Sequence, residues 1–108
     1  MQPAFPMAKV YVPIVRTDNY QLNGEQIYTL GGQILTDGGS AILESGIIIS
    51  ENLSFSGPKR RIIANPPLAN SEFYISVNDL KPATTYYYRA FARNAVGETQ
   101  GVRRRLKT

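Results

Sequence analysis

Alternating apolar and polar residues predict short β-strands along most of this chain. The clearest case is residues 72–77, where Phe73, Ile75 and Val77 fall on one face and polar or amphipathic residues fall on the other. A period of two residues is that of a half-buried strand. Prolines and glycines recur roughly every 8–12 residues, which is the spacing of short strands in a β-sandwich. No stretch has a helical period, so the pattern predicts an all-β fold.

The predicted strands cover residues 10–16, 26–35, 41–50, 60–64, 72–77, 85–94 and 102–107. Pro13 makes the first of these an edge strand, because proline cannot donate a hydrogen bond to a central ladder. Gly31-Gly32 inside the second strand either lets a neighbouring backbone approach closely or accommodates a bulge. The Thr36-Asp37-Gly38-Gly39 stretch predicts a turn with glycine at positive φ.

The length of 108 residues fits one domain. Pro3 and Pro6 indicate that residues 1–8 are a linker or a disordered lead-in, and residues 9–108 form the domain. The longest apolar run, residues 46–49, is far shorter than the ~20 residues that a spanning helix needs, so no membrane insertion is expected. The start of the chain lacks the basic and apolar regions of a signal peptide. Either the protein stays inside the cell, or the sequence is a fragment of a longer protein; we favour the fragment.

Cysteine, histidine and tryptophan are absent. Disulfides, thiolate metal sites and the usual histidine-based triads are therefore excluded. The remaining acid–base residues would need a pocket that a small all-β module seldom has. We therefore expect neither enzymatic activity nor a metal ion or cofactor.

The net charge of +4 is unevenly spread. Residues 1–58 carry two basic and five acidic side chains, whereas residues 59–108 carry ten basic and three acidic ones. Such asymmetry indicates either an anionic partner or a solvated face whose cations happen to lie late in the chain.

The stretch from Leu80 to Gly97 resembles the corner and following strand of a fibronectin type III domain. The matching positions are Leu80, Pro82, Thr84, Tyr86, Tyr88, Ala90, Ala92, Asn94 and Gly97. Residues 29–50 are similar to two consecutive strands and a D-G-G turn of the bacterial subgroup of these domains. The resemblance implies an immunoglobulin-like sandwich of about seven antiparallel strands in two sheets.

The resemblance also assigns structural roles to the corner. Tyr86 would have a buried ring and a hydroxyl group bonded to nearby backbone, with Leu80 closing the end of the core and Pro82 fixing the turn. Alternation then places Tyr86 and Tyr88 inside and Tyr87 outside.

Two features depart from the fibronectin type III pattern. Related domains have a core tryptophan, so its absence implies a repacked core around Ile49. In the last strand, inward-facing Val102 and Leu106 would place Arg104 inside, and burying an unpaired charge is costly. We expect a bulge, a frayed edge, or an Arg104 side chain that extends to water.

In that topology, one sheet presents an open face that alternates arginine and aromatic residues. The predicted face consists of Tyr87, Arg89, Phe91, Arg93, Arg103 and Arg105, with Glu44 and Ile48 beside them. It could be purely structural, because arginine stems cover exposed rings. It could instead bind an anionic polymer through guanidinium groups, or a neutral glycan through Tyr87 and Phe91.

Together these features predict a non-catalytic module of a larger secreted or cell-surface protein. Its expected role is to space adjacent domains of the same polypeptide or to present a protein- or glycan-binding face in adhesion. The alternative is binding of an acidic polysaccharide or a nucleic acid by the basic face, and nucleic acid is the less expected of the two.

Overall fold

The computed structural model describes residues 9–64 and 72–108. These residues form β-strands and connecting loops, with no helix among them. The strands are β1 (Ile14–Thr17), β2 (Gln21–Leu22), β3 (Tyr28–Thr36), β4 (Glu44–Ser50), β5 (Lys59–Ala64), β6 (Glu72–Val77), β7 (Thr85–Arg93), β8 (Glu98–Gln100) and β9 (Arg104–Lys107).

The strands form two antiparallel sheets. In the first sheet β3 pairs with β6 along one edge and with both β1 and β2 along the other. In the second sheet the order is β5-β4-β7, and β8 and β9 both pair with the free edge of β7. This arrangement confirms the predicted all-β fold and is consistent with an immunoglobulin-like β-sandwich.

The core lies between the two sheets and is built without tryptophan. Leu30 and Ile34 of the first sheet and Ile47, Tyr88 and Leu106 of the second are fully buried in it. Ile49 also belongs to this cluster. In β6 the alternation is as predicted, with Ile75 and Val77 inside and Tyr74 exposed.

The glycine positions behave as the sequence predicts. A Cβ atom on Gly32 would lie 2.7 Å from the Cβ of Ala90 and 2.7 Å from the ring of Phe73, so only glycine lets the two sheets approach this closely. Gly38 and Gly39 have φ values of 76° and 96° in the β3–β4 turn.

The N-terminal strand is shorter than predicted. It begins at Ile14, directly after Pro13, and pairs only with β3, as expected of an edge strand. Tyr11, which the predicted strand included, does not belong to β1 and donates its backbone N–H to the backbone oxygen of Gly38 in the β3–β4 turn, at 2.9 Å. The two-residue β2 was not predicted, because so short a segment has no readable period. Residues 1–8 and the predicted break at Asn65-Pro66-Pro67 lie outside the described residues.

The last strand begins at Arg104, two residues later than predicted, and a β-bulge separates it from β8, which was not predicted. Gln100 pairs with Phe91 and Arg104 pairs with Tyr88, so residues 101–103 stand opposite only two residues of β7. The extra residue breaks the alternation between Val102 and the residues that follow it. Leu106 is fully buried, whereas Val102 is 66% exposed, so the two residues do not both face the core.

Side chains from the first sheet fill the gap that the bulge opens. Thr17, itself fully buried, accepts the backbone N–H of Ala90 on its hydroxyl oxygen at 2.9 Å. Arg104 occupies an inward position opposite Tyr88 and extends to the edge of the sandwich. Its guanidinium group donates to the backbone oxygen of Thr17 and to Oδ1 of Asn19, both at 2.7 Å. The predicted bulge and the extended arginine are therefore both present.

Candidate interaction face

Strand register places the predicted face on the outer surface of the second sheet. Tyr87, Arg89 and Phe91 alternate along β7, and Arg93 completes the series. Their partners on β4 are Ser50, Ile48, Gly46 and Glu44, in that order. Residues paired across antiparallel strands project to the same side, so all of these side chains share one face.

The flanking strands extend this face on both sides. On β5, Lys59 pairs with Ser50, Arg61 with Ile48, and Ile63 with Gly46. On the other side, Arg105 of β9 pairs with Tyr87, and Lys107 pairs with Thr85. Lys59, Arg61 and Lys107 therefore join the arginines that the sequence singled out. Sequence reasoning missed them because the register between strands cannot be read from the alternation of one strand.

Phe91 is not available to a ligand. Its ring is fully buried although it belongs to the outer face. Gly46 stands opposite it and has no side chain, so the ring lies flat against the sheet. The guanidinium carbon of Arg61 then covers the ring at 3.8 Å from its centroid. The prediction of an exposed Phe91 ring is wrong for this reason, and glycan binding through this ring loses its basis.

Ile48 is covered in the same way. It is only 5% exposed and lies in register between Arg61 of β5 and Arg89 of β7. This part of the face matches the structural interpretation, in which arginine stems shield apolar groups from water.

The half of the face around Phe91 consists of ion-paired side chains whose charges sum to zero, and we call it the ionic half. It contains two cations, Arg61 and Arg93, and two carboxylates, Glu44 and Glu98. Arg61 donates to Glu44 at 3.0 Å and forms a close ion pair with Glu98, and Arg93 lies 3.9 Å from Glu44. The hydrogen bond with Arg61 lowers the pKa of the Glu98 carboxyl group, and the same bond raises the pKa of Arg61.

The half of the face around Tyr87 carries an excess of cations over carboxylates, and we call it the basic half. It contains Lys59, Arg89, Arg103, Arg105 and Lys107, with Tyr87 in the centre. Within residues 9–64 and 72–108, none of these five cations forms an ion pair with a carboxylate. The structure thus divides the predicted six-residue set, because Phe91 and Arg93 belong to the ionic half and the other four residues belong to the basic half.

The β4–β5 loop folds over part of the basic half. The Arg89 guanidinium carbon lies 4.6 Å from the centroid of the Phe55 ring, and Arg103 donates to the backbone oxygen of Leu53 at 3.2 Å. Lys59 donates to the backbone oxygen of Phe55, also at 3.2 Å. Phe55 has a φ of 58°, an uncommon conformation for a bulky residue. The loop therefore contacts the guanidinium groups of Arg89 and Arg103, whereas Arg105 and Lys107 extend into solvent.

Tyr87 is also partly covered. The Arg103 guanidinium carbon lies 5.8 Å from the centroid of its ring, within the distance of a cation–π interaction. The rings of Phe91, Phe55 and Tyr87 on the outer face and its loop are therefore each in contact with a guanidinium group.

The corner residues lie on the other side of β7 and are structural. Tyr86 is buried, and its hydroxyl oxygen accepts the backbone N–H of Lys81 at 2.8 Å. Leu80 is buried at the end of the core, and Pro82 precedes Ala83, which has a φ of 52°. These contacts fix where β7 begins and therefore which of its residues face outward.

Asn94 holds the opposite end of β7. Its side chain is buried and donates to the backbone oxygens of Tyr11 and Asp37 at 2.7 and 2.8 Å. It also accepts the backbone N–H groups of Val96 and Gly97, which closes the turn between β7 and β8.

Three features of the described residues bear on metal binding, membrane insertion and ligand binding in a groove. Among residues 9–64 and 72–108, no three acidic side chains come together as a metal site, and no helix is long and apolar enough to cross a membrane. Two open grooves flank Pro58, one lined by loop residues 51–58 and one reaching Tyr86. The carboxylate that they share, Glu51, forms an ion pair with Lys81 at 3.0 Å.

Comparisons with known proteins do not add to these observations. No protein-family model matches the chain, and no curated protein matches it significantly.

Proposed function

We propose that this chain is a non-catalytic module of the fibronectin type III kind, part of a larger secreted or cell-surface protein, where it separates adjacent domains and presents a sheet face. The two antiparallel sheets and the buried Tyr86 with its hydroxyl bonded to the backbone of Lys81 support this proposal. The location outside the cell rests on the family resemblance. A parent protein whose other domains are cytosolic enzymes would contradict that location.

The observation that carries the spacer role is that Tyr11, near the start of the described residues, and Thr108 lie at opposite ends of the sandwich. Tyr11 is bonded to Gly38 and Asn94, at the end of the sandwich where β7 finishes. Thr108 is bonded to Thr84 through its backbone N–H at 2.9 Å, at the end where β7 starts. β7 has nine residues between these ends. At about 3.3 Å per residue, it separates them by about 30 Å.

Contacts between the terminal strands suit a module that is pulled from its ends. Arg104 of β9 donates to Thr17 of β1, and Thr99 of β8 donates to the backbone oxygen of Pro13, next to β1. A force applied through the ends therefore acts on side chains that tie the first sheet to the second, before it reaches the core.

The absence of cysteine allows a direct test of this geometry. Cysteines introduced at Lys9 and Thr108 can be labelled with a donor and an acceptor dye, and the distance measured by single-molecule energy transfer. We expect one narrow population with dyes at least about 30 Å apart. The control pair, Lys9→Cys with Val96→Cys, places both dyes at one end and should transfer energy much more efficiently. Equal transfer in the two pairs would refute the spacer geometry, and turnover of a substrate by the purified domain would refute the non-catalytic role.

A further inference from the structure

We propose that the basic half of the outer face binds a linear acidic polysaccharide through its sulfate or carboxylate groups. This inference goes beyond the spacer role, because it assigns a ligand class to a surface that a spacer does not need. It concerns Lys59, Arg89, Arg103, Arg105 and Lys107 and leaves out the ionic half.

The first argument is charge balance. All eight acidic residues lie in the described part of the chain. Five of them are in ion pairs with Arg16, Arg60, Arg61, Lys81 or Arg93, none of which belongs to the basic half. Asp37 accepts the backbone N–H of Gly39, and Glu72 accepts the hydroxyl of Tyr74. The remaining one, Glu25, lies between β2 and β3 of the other sheet. The basic half therefore keeps a positive potential that an anionic ligand would neutralise.

The second argument is shape. Lys59, Ser50, Tyr87 and Arg105 form one row across four strands. With about 4.8 Å between strands, the ends of this row are about 14 Å apart, and Lys107 lies about 7 Å further along β9. The end of this row at Arg105 and Lys107 is open to solvent, whereas Lys59 and Ser50 border the groove beside the β4–β5 loop. The row suits an extended ligand with several anionic groups better than a small molecule.

The third argument separates polysaccharide from nucleic acid. Single-stranded nucleic acid is bound by stacking bases on exposed rings. Here Phe91 lies under Arg61, Phe55 is stacked with Arg89, and Tyr87 is partly covered by Arg103. Recognition of base edges in the major groove of duplex DNA requires an inserted helix or two-stranded ribbon, and the broad outer face of the second sheet presents neither element. What remains is hydrogen bonding from guanidinium and ammonium groups to oxyanions, which a polysaccharide satisfies.

The test compares two triple variants with the same net charge. The first, Lys59→Gln/Arg105→Gln/Lys107→Gln, removes three cations of the basic half. It spares Arg89 and Arg103, which keep two of the three basic-half contacts to the β4–β5 loop, and it loses the third, from Lys59 to the backbone oxygen of Phe55. The control, Lys9→Gln/Arg16→Gln/Arg60→Gln, removes three cations from elsewhere. Circular dichroism establishes that both are folded. Affinity is then measured by titration calorimetry with heparin, with the carboxylate polymer hyaluronan and with oligothymidine, from 50 to 200 mM salt.

The parent should bind heparin with an affinity that falls steeply with salt. The basic-half variant should bind at least about tenfold more weakly, and its slope of log K against log salt should be shallower by about two, as expected when about three counterion-releasing contacts are lost. The control should stay within about twofold of the parent. Binding to heparin alone identifies sulfate as the group recognised, and equal binding to hyaluronan identifies either oxyanion.

Three results would overturn the proposal. The first is that the parent binds neither polysaccharide, and the second is that the two triple variants lose the same amount of heparin affinity. The third is that the parent binds oligothymidine more tightly than heparin. None of these results bears on the separation of the chain ends, so the spacer role stands or falls by its own measurement.

Discussion

Replacing Arg104 with methionine is expected to destabilise the domain by about 2–3 kcal/mol. The guanidinium group forms hydrogen bonds with the backbone oxygen of Thr17 and with Asn19. Both acceptors belong to the first sheet or the turn that follows β1, whereas Arg104 belongs to the second sheet. Methionine keeps an unbranched stem of similar reach, so the substitution removes the donors with little change in packing.

The magnitude follows from the surroundings of the two acceptors. Thr17 is fully buried, and an acceptor that loses its donor in such a place costs about 1–3 kcal/mol. The bond to Asn19 is exposed and should add about 0.5–1 kcal/mol. For a domain of this size, the sum corresponds to a decrease in Tm of about 10 °C.

The assay is urea unfolding followed by far-UV circular dichroism and tyrosine fluorescence, since the chain has no tryptophan. Arg105→Met is the matched control, because the neighbouring side chain points to the opposite face and into solvent. It should change the free energy of unfolding by less than about 0.5 kcal/mol. If Arg104→Met proves as stable as Arg105→Met, the hydrogen bonds from Arg104 to Thr17 and Asn19 do not stabilise the packing of the two sheets, and the role assigned to Arg104 is wrong.

Two further predictions concern single hydrogen bonds. Tyr86→Phe removes the acceptor of the Lys81 backbone N–H and should lower the free energy of unfolding, measured in urea, by about 1 kcal/mol. Tyr87→Phe, on the outer face, should lower it by less than half of that amount. Equal effects would mean that the hydrogen bond between Tyr86 and Lys81 is not stabilising. Glu98→Gln should cost about 1 kcal/mol at pH 7, because the Glu98 side chain is partly exposed and its ion pair with Arg61 is screened. Because the folded state lowers the pKa of Glu98, its contribution is present above the ordinary carboxyl pKa of 4.5 and is lost as the pH falls through the lowered value. The difference between Glu98→Gln and the parent should therefore shrink when unfolding is repeated near pH 3, and a difference independent of pH would contradict the role assigned to Arg61.

The local pattern of the sequence was sufficient for features that depend on one strand or one turn. Tyr86 and Tyr88 face inward and Tyr87 outward because successive side chains of a strand alternate, whatever the strand packs against. The positive φ values of Gly38 and Gly39 follow from the turn residues themselves.

The accessibility of the candidate face depended on pairs of strands. Phe91 is buried because Gly46 stands opposite it on β4 and Arg61 reaches it from β5. Neither neighbour is close to Phe91 in sequence, and the strand register that joins them is not encoded in the alternation of β7.

The bulge at residues 101–103 was likewise decided by tertiary structure. Alternation alone would place Val102, Arg104 and Leu106 on the inner side, but the extra residue exposes Val102, and the Arg104 side chain reaches Thr17 and Asn19. The sequence by itself therefore determined that the chain forms short strands with a defined inner face. Only the packing of the sheets decided which cations are neutralised and which remain on the basic half, because ion pairs and ring contacts form between strands that are distant in sequence.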